Sequence, residues 1–221
     1  MSAVYALEPP TEGKAVVRTT HGELEIEFFA REAPLACRNF VQLALEGYYD
    51  ENEFTRCVAN FMAQTGDPTN TGRGGASAVN DGKGFKDEFH SRLRFNARGR
   101  VAMANEGRRD SNGSQWFVTL GECEWLNRRH TIFGKIVGAT MYNAIQIGNV
   151  ETEGDRPIDP APKILRVEVL ANPFPDIEPR RRASEAEAEA EVEDFRKQKK
   201  AKKKLALLSF GEEAAEEEAT L

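Results

Sequence analysis

Between residues 13 and 171 the apolar residues fall into short β-rich runs bounded by turn-forming residues, and only two stretches repeat at helical spacing. Strands this short and this numerous point to an antiparallel architecture in which a curved sheet buries one face and helices cover its open ends. The expected fold is mainly β, a closed eight-stranded antiparallel β-barrel capped by two α-helices.

The first run is the clearest. Residues 14–20 and 23–29 flank His21-Gly22, which predicts a two-residue turn. Leu24, Ile26 and Phe28 alternate with Glu23, Glu25 and Glu27, so one face is buried and the other wet. A helix follows, with Pro34 suited to its first turn, Ala36, Phe40, Leu43 and Ala44 on one face, and Gly47 at its stop. Further strands are expected at 53–56, 60–64, 99–103, 115–119, 131–137 and 163–170, and a short helix at 140–147. The glycine-rich stretch 66–84 has no periodicity. It lacks the G-K-[ST] of a phosphate-cradling loop and reads as a long surface loop.

Composition changes sharply near residue 172, where aromatic and β-branched residues give way to a proline-rich exit and then to charged runs. The expected organisation is an extended N-terminal arm over 1–12, a folded domain over 13–171, and a charged, largely disordered low-complexity tail over 172–221 with a candidate helix at 184–204. The 221 residues therefore suit one domain with an appendage. Acidic residues outnumber basic ones, 36 to 30, for a net charge of −6, which argues against a dedicated nucleic-acid binder. Cys37, Cys57 and Cys123 show neither a disulfide framework nor zinc-ligand spacing, which suits a reducing compartment. No apolar run is long enough for a membrane span, and the first residues do not read as a secretory signal.

Familiar catalytic sets are missing. There is no G-x-S-x-G elbow and no H-E-x-x-H, and nothing recommends a metal or a cofactor. What remains is a group of apolar, aromatic and amide residues around a few polar ones. These are Phe54, Arg56, Phe61, Met62, Gln64, Ala104, Asn105, Gln115, Phe117, Trp125, Leu126 and His130.

Seven segments then occur in order: Phe54-Thr55-Arg56; Asn60-Phe61-Met62-Ala63-Gln64-Thr65-Gly66-Asp67; Phe85-Lys86-Asp87-Glu88; Met103-Ala104-Asn105; Asn112-Gly113-Ser114-Gln115-Trp116-Phe117; Trp125-Leu126; and His130 with Phe133-Gly134-Lys135. Together they resemble the cyclophilin family of peptidyl-prolyl cis-trans isomerases. The resemblance implies an enzyme that twists X-Pro bonds in proline-containing peptide segments. It assigns Arg56, Gln64 and Asn105 to the catalytic machinery. Phe61, Met62, Phe117, Leu126 and His130 become the proline socket. Ala104 and Gln115 lie beside the residues preceding proline, and Trp125 stands on the rim associated with cyclosporin binding. No cofactor is implied.

The chain departs from the family pattern at Thr55, Ala59-Asn60, Thr65 and Glu106, and in a longer 107–114 segment carrying Arg108-Arg109-Asp110. Glu106 reads either as a selector for a basic residue upstream of the proline or as a solvated, inert charge. The 85–96 segment and the Leu207-Leu208-Ser209-Phe210-Gly211-Glu212-Glu213 segment resemble the spliceosome-associated nuclear cyclophilins of the complexed-with-Cef group. That likeness implies nuclear localisation, a role in pre-mRNA splicing, and spliceosomal partners, a helical-repeat splicing scaffold among them. Its alternative is a non-catalytic proline-peptide or protein-binding scaffold module. The lysine-rich run 197–204, bounded by Lys197 and Lys204, reads as a nuclear localisation signal, an RNA contact or a solvated run. The apolar island 205–210 reads as a partner-binding segment.

Overall fold

Strands β1 (Lys14–Thr19) and β2 (Gly22–Phe28) form the hairpin that the apolar–acidic alternation demands. Val17 faces Leu24 and Ala15 faces Ile26 across it, and all four side chains are buried. The turn sits one residue earlier than expected, at Thr20–His21. Gly22 belongs to the strand, where its φ of +101° and the close approach of Asn143 exclude a side chain. The computed structural model describes residues 8–180, so the expected helix at 184–204, the lysine-rich run and the apolar island lie outside the described residues.

Helix α1 (Pro34–Leu45) starts on proline and buries Ala36, Cys37, Phe40, Val41, Leu43 and Ala44. Phe40 is the centre of the core, with the rings of Phe28, Tyr49, Trp116 and Phe133 between 5.2 and 5.6 Å from it. Ala33 cannot cap the helix. Glu88, from a distant loop, supplies the missing acceptors: its two carboxylate oxygens take the Leu35 and Ala36 amide protons, each at 3.0 Å. Glu88→Ala is expected to lower stability by about 1 kcal/mol, read as a fall in the urea midpoint at unchanged slope. An unmoved midpoint would mean that water replaces this cap without loss.

The remaining strands are β3 (Arg56–Val58), β4 (Met62–Thr65), β5 (Arg100–Met103), β6 (Trp116–Thr119), β7 (Ile132–Ile136), a small separate hairpin of β8 (Thr152–Glu153) and β9 (Arg156–Pro157), and β10 (Ile164–Ala171). Helix α2 (Met141–Gly148) follows a single 3₁₀ turn and is tied to β2 by the Asn143 amide, which donates to the Glu23 carbonyl at 2.9 Å. The main sheet runs β10-β1-β2-β7-β5-β6-β4-β3.

Eight antiparallel strands and two helices agree with expectation, but the sheet is a curled half-barrel and not a closed barrel. The edge strands β3 and β10 share no ladder. The segment before β3 meets the start of β10 and the residues leading into it, through one bridge between Glu53 and Lys163 and hydrogen bonds such as Phe54 N to Pro162 O at 2.8 Å and Ile164 N to Asn52 O at 2.9 Å. The physical reason lies on β3. It is three residues long, and its Cys57 N–H donates to Asp155 O, in the β8–β9 turn, so its outer edge is taken by that hairpin. The expected strand at 53–56 is accordingly displaced to Arg56–Val58.

On β4, β5, β6 and β7 both faces of the sheet are covered. Ala63, Trp116, Val118, Val101 and Phe133 point into the core around Phe40. Met62, Phe117, Ala102 and Ile132 point outward and pack with Phe95, Cys123 and Leu126 into a second apolar cluster. The three cysteines are free and buried. Beyond β10 the chain returns along α1, where Arg38 pairs with Asp176 at 2.5 Å and Ile177 is buried.

Candidate active site

The outer apolar cluster carries the site. Cross-strand register puts Arg56 opposite Gln64, Gln64 opposite Phe117, and Phe117 opposite Ala102. Residues directly opposite one another in a sheet share a face, so a guanidinium, an amide and a phenyl ring form one row across four strands. Arg56 is exposed at the end of that row. Its Nε and Nη2 both donate to Asp155 Oδ2, at 3.2 and 2.9 Å. This half-exposed ion pair adds little stability, but it sets the direction of the guanidinium fork.

The apolar part of the row is a shallow socket. Met62 and Phe117 floor it, and Leu126, from a 3₁₀ turn at Glu124–Leu126, closes one side. Phe61 and Ala104 pack on the same cluster while remaining partly open. Trp125 is 58% exposed and leans on Phe61 with ring centroids 5.6 Å apart. Its exposure in the midst of an apolar rim marks it as a surface waiting for contact.

His130 stands edge-on to Phe117, with ring centroids 5.3 Å apart, and its Nδ1 lies 3.0 Å from the Met103 carbonyl. A carbonyl only accepts, so Nδ1 carries the proton. Burial pulls the imidazole below its ordinary value of 6.5, against the opposing hydrogen bond to Met103 and the charge of Asp87. A depressed histidine is neutral in the fold at pH 7. Its contribution to stability is therefore complete above the unfolded value and lost as pH falls through the folded one. kcat/KM for a proline peptide is expected to be flat from neutral pH upward and to fall in acid as His130 charges. A His130→Gln variant should lose that acid limb. An acid limb that survives the substitution would assign it to another group.

Amides line the neighbouring wall. Gln64 Nε2 donates to Gln115 Oε1 at 2.7 Å, and Gln115 Nε2 donates to the Gly72 and Gly74 carbonyls at 3.2 and 2.7 Å. Asn105 Nδ2 donates to the Arg129 carbonyl at 2.8 Å. With Ala104, these residues border a cavity of about 400 Å³. The far wall of that cavity is the 66–75 loop, which has no regular structure but is built around Asp67. Asp67 is fully buried and accepts hydrogen bonds from Thr69, Thr71, Gly72 and Gly74. Burial alone would raise this carboxyl, but the Thr69 hydroxyl and the Gly74, Thr69 and Gly72 amides outweigh it and hold the group below its usual range. Glu106 is met by Arg108 of its own loop, with Nε 2.7 Å from Oε2, so much of its charge is already answered.

The residues singled out in the sequence lie on this face, the socket group around Phe117, the amides around Gln115, and Arg56 reached through Gln64, except for Phe54, which is buried in the inner cluster with Phe40. Three contributors were not singled out in the sequence as site residues. Asp155 holds Arg56 from 99 residues away, Asp67 shapes the amide wall, and Phe95 stacks on Phe117 at 6.1 Å. The Asp67 carboxylate was visible only as the end of a motif, and Asp155 sits in a hairpin too short to show a period.

A curled eight-stranded antiparallel sheet with two helices thus bears an arginine–glutamine–phenylalanine row on its outer face, the architecture of a cyclophilin-type domain. The chain belongs to the cyclophilin family: residues 14–169 match the family of cyclophilin-type peptidyl-prolyl cis-trans isomerases. It is 56% identical over 222 residues to an Arabidopsis thaliana protein named peptidyl-prolyl cis-trans isomerase CYP57, covering 100% of this chain and 44% of that one. It is 53% identical over 219 residues to a Danio rerio spliceosome-associated protein CWC27 homolog, covering 99% of this chain and 46% of that one. The chain therefore spans about half the length of the curated relatives it matches. Among solved structures, a Cryptosporidium parvum cyclophilin-type isomerase crystallised in the presence of the dipeptide Ala-Pro superposes with a TM-score of 0.66 at 34% identity, covering 72% of this chain and 99% of that one.

Proposed function

We propose that this chain is a peptidyl-prolyl cis-trans isomerase that acts in the nucleus on proline-containing segments of spliceosomal proteins. The observation that carries the reading is the row of Arg56, Gln64 and Phe117 on one face of the sheet. The names of the CWC27-type relatives support the spliceosomal assignment.

The chemistry requires no nucleophile. Rotation about a peptide bond faces a barrier of roughly 18–20 kcal/mol because the C–N bond has partial double-bond character. A catalyst needs only to bind the twisted state better than either planar one. In the twisted state the prolyl nitrogen pyramidalises and gains a lone pair that accepts a hydrogen bond. Arg56 donates to it from a fork whose direction Asp155 sets. Its charge persists at every working pH and its donors need no reorganisation. The proline ring occupies the socket of Phe61, Met62, Phe117, Leu126 and neutral His130. Gln64, Ala104, Asn105 and Gln115 align the backbone before it. Trp125 supplies the rim for the substrate and for cyclosporin.

A second reading, a scaffold module that binds proline segments without turning them over, draws support from the engagement of Arg56 with Asp155. Residues 181–221 keep their sequence-based readings in either case: a nuclear localisation signal, an RNA contact or a solvated run for 197–204 and a partner-binding segment for 205–210. Exchange NMR on a short X-Pro peptide separates the two. Cis–trans exchange accelerated by catalytic amounts of the chain establishes the isomerase. Saturable binding with uncatalysed exchange selects the scaffold.

A further inference from the structure

We propose that an arginine-lined recess beside the proline socket binds an acidic or phosphorylated side chain of the same proline-containing peptide. The inference rests on the isomerase reading of the groove and adds a specificity that this reading does not contain.

The recess has a volume of about 370 Å³, and Arg108, Arg109, Arg128 and Arg129 all line it. They come from two loops, the long 107–114 segment and the turn before β7. Arg108 is paired with Glu106. Among the described residues, no ion pair or hydrogen bond engages the guanidinium groups of Arg109, Arg128 or Arg129. Asp87 is the one carboxylate among the lining residues, a single negative charge against four arginines, and it accepts from Asn112 Nδ2 at 2.9 Å and from the Asp110 amide at 3.0 Å. Asp110 is pinned in return, its Oδ1 accepting the Asp87 amide at 2.9 Å. Three arginines that form no ion pair among the described residues thus line one concavity in a protein whose net charge is −6. Guanidinium forks match phosphate and carboxylate oxygens in pairs.

Backbone strain points to the same place. Arg128 has a φ of +59°, in the left-handed region that favours glycine. A bulky residue there costs stability that glycine would not, and residues held in such conformations gather at ligand sites.

The occupant is a peptide side chain because the recess shares Asn105 with the amide-lined cavity and includes His130 of the socket. A peptide seated on the proline site passes its mouth. A nucleic acid would call for a basic stripe that follows a backbone, whereas these arginines gather on two neighbouring loops around one half-open concavity.

The test uses the 221-residue chain and peptides with one proline. Each peptide carries glutamate, phosphoserine or serine at one of the three positions on either side of it. Exchange NMR gives kcat/KM for each. At one or more positions the phosphoserine peptide should exceed its serine twin by about tenfold at low salt, glutamate should fall between, and the gain should fade in 0.5 M salt. The double variant R109A/R128G should abolish the gain and leave the serine peptides unchanged. Glycine at 128 suits the observed φ, so this variant keeps its fold. Equal values for all three peptides at every position, with the serine peptides turned over, overturn the recess alone. If no peptide is turned over, the isomerase reading fails instead. Peptide titrations followed at the Arg109, Arg128 and Arg129 amides then decide, with tighter binding of phosphoserine supporting the recess and equal binding overturning it. Shifts at those amides with an oligouridylate and none with any phosphopeptide overturn it in favour of RNA.

Discussion

Arg56→Ala is expected to lower kcat/KM for X-Pro isomerisation by about 10²–10³-fold, the usual effect of removing one pre-oriented donor from a transition state. The fall should appear in kcat, with KM little changed, because the prolyl nitrogen becomes a strong acceptor only in the twisted state. Folding should be almost unaffected. Arg56 lies on a short edge strand with a half-exposed side chain, and its ion pair to Asp155 is of the surface kind. Arg56→Lys keeps the charge and loses the fork, so most of the defect should remain. Exchange NMR at matched peptide concentrations measures both variants, and urea melts report the fold. A variant that retains wild-type kcat would remove Arg56 from the machinery and favour the scaffold reading.

The largest effect on stability is expected at Asp67. Its carboxylate accepts six hydrogen bonds, the Thr69 and Thr71 amides and hydroxyls and the Gly72 and Gly74 amides, at 2.7 to 3.3 Å. A side chain at Gly74 would collide with Asp67 Oδ1, so the loop and the carboxylate are fitted to each other. Asp67→Ala strands those donors in a buried site and should cost about 3–4 kcal/mol. Asp67→Asn restores only one acceptor oxygen and should recover a minor part. The pH dependence has a definite sign. Asp67 is held below its ordinary value of 3.8, so its stabilisation is present above that value and is lost as pH falls through the folded one. Wild type and Asp67→Ala should therefore converge in acid. The same substitution frees the Gly72 and Gly74 carbonyls that hold Gln115, so activity should fall along with stability. A urea midpoint within error of wild type at pH 7 would show that the loop is held by other contacts.

Much of the domain was legible because it is written in local periods. The alternation of Leu24, Ile26 and Phe28 with three glutamates specifies a half-buried strand wherever it occurs, and Phe40 with Leu43 and Ala44 specifies the buried face of α1. The candidate site residues rest on a different signal. They sit in short motifs whose order is characteristic, and β4 and β6 carry several of them at alternate positions, so the ladder itself brings Gln64 to Phe117.

What stayed hidden depends on where loops travel. Alternation says which residues of β3 and β10 face inward but not whether these edges meet, and the sheet stays open because the β8–β9 turn occupies the β3 edge. The Asp155 grip on Arg56 and the Glu88 cap on α1 join residues 99 and 52 or 53 positions apart, through segments without a period. Arg108, Arg109, Arg128 and Arg129 read singly as solvated charges, and only the folded chain sets them around one recess. The sequence by itself determined the β1–β2 hairpin, the buried faces of β2 and α1 and the family to which the chain belongs, because these follow from the order of side chains along the chain. The tertiary structure alone decided the open sheet, the aim of Arg56 and the gathering of the arginines, because these are set by contacts between distant loops.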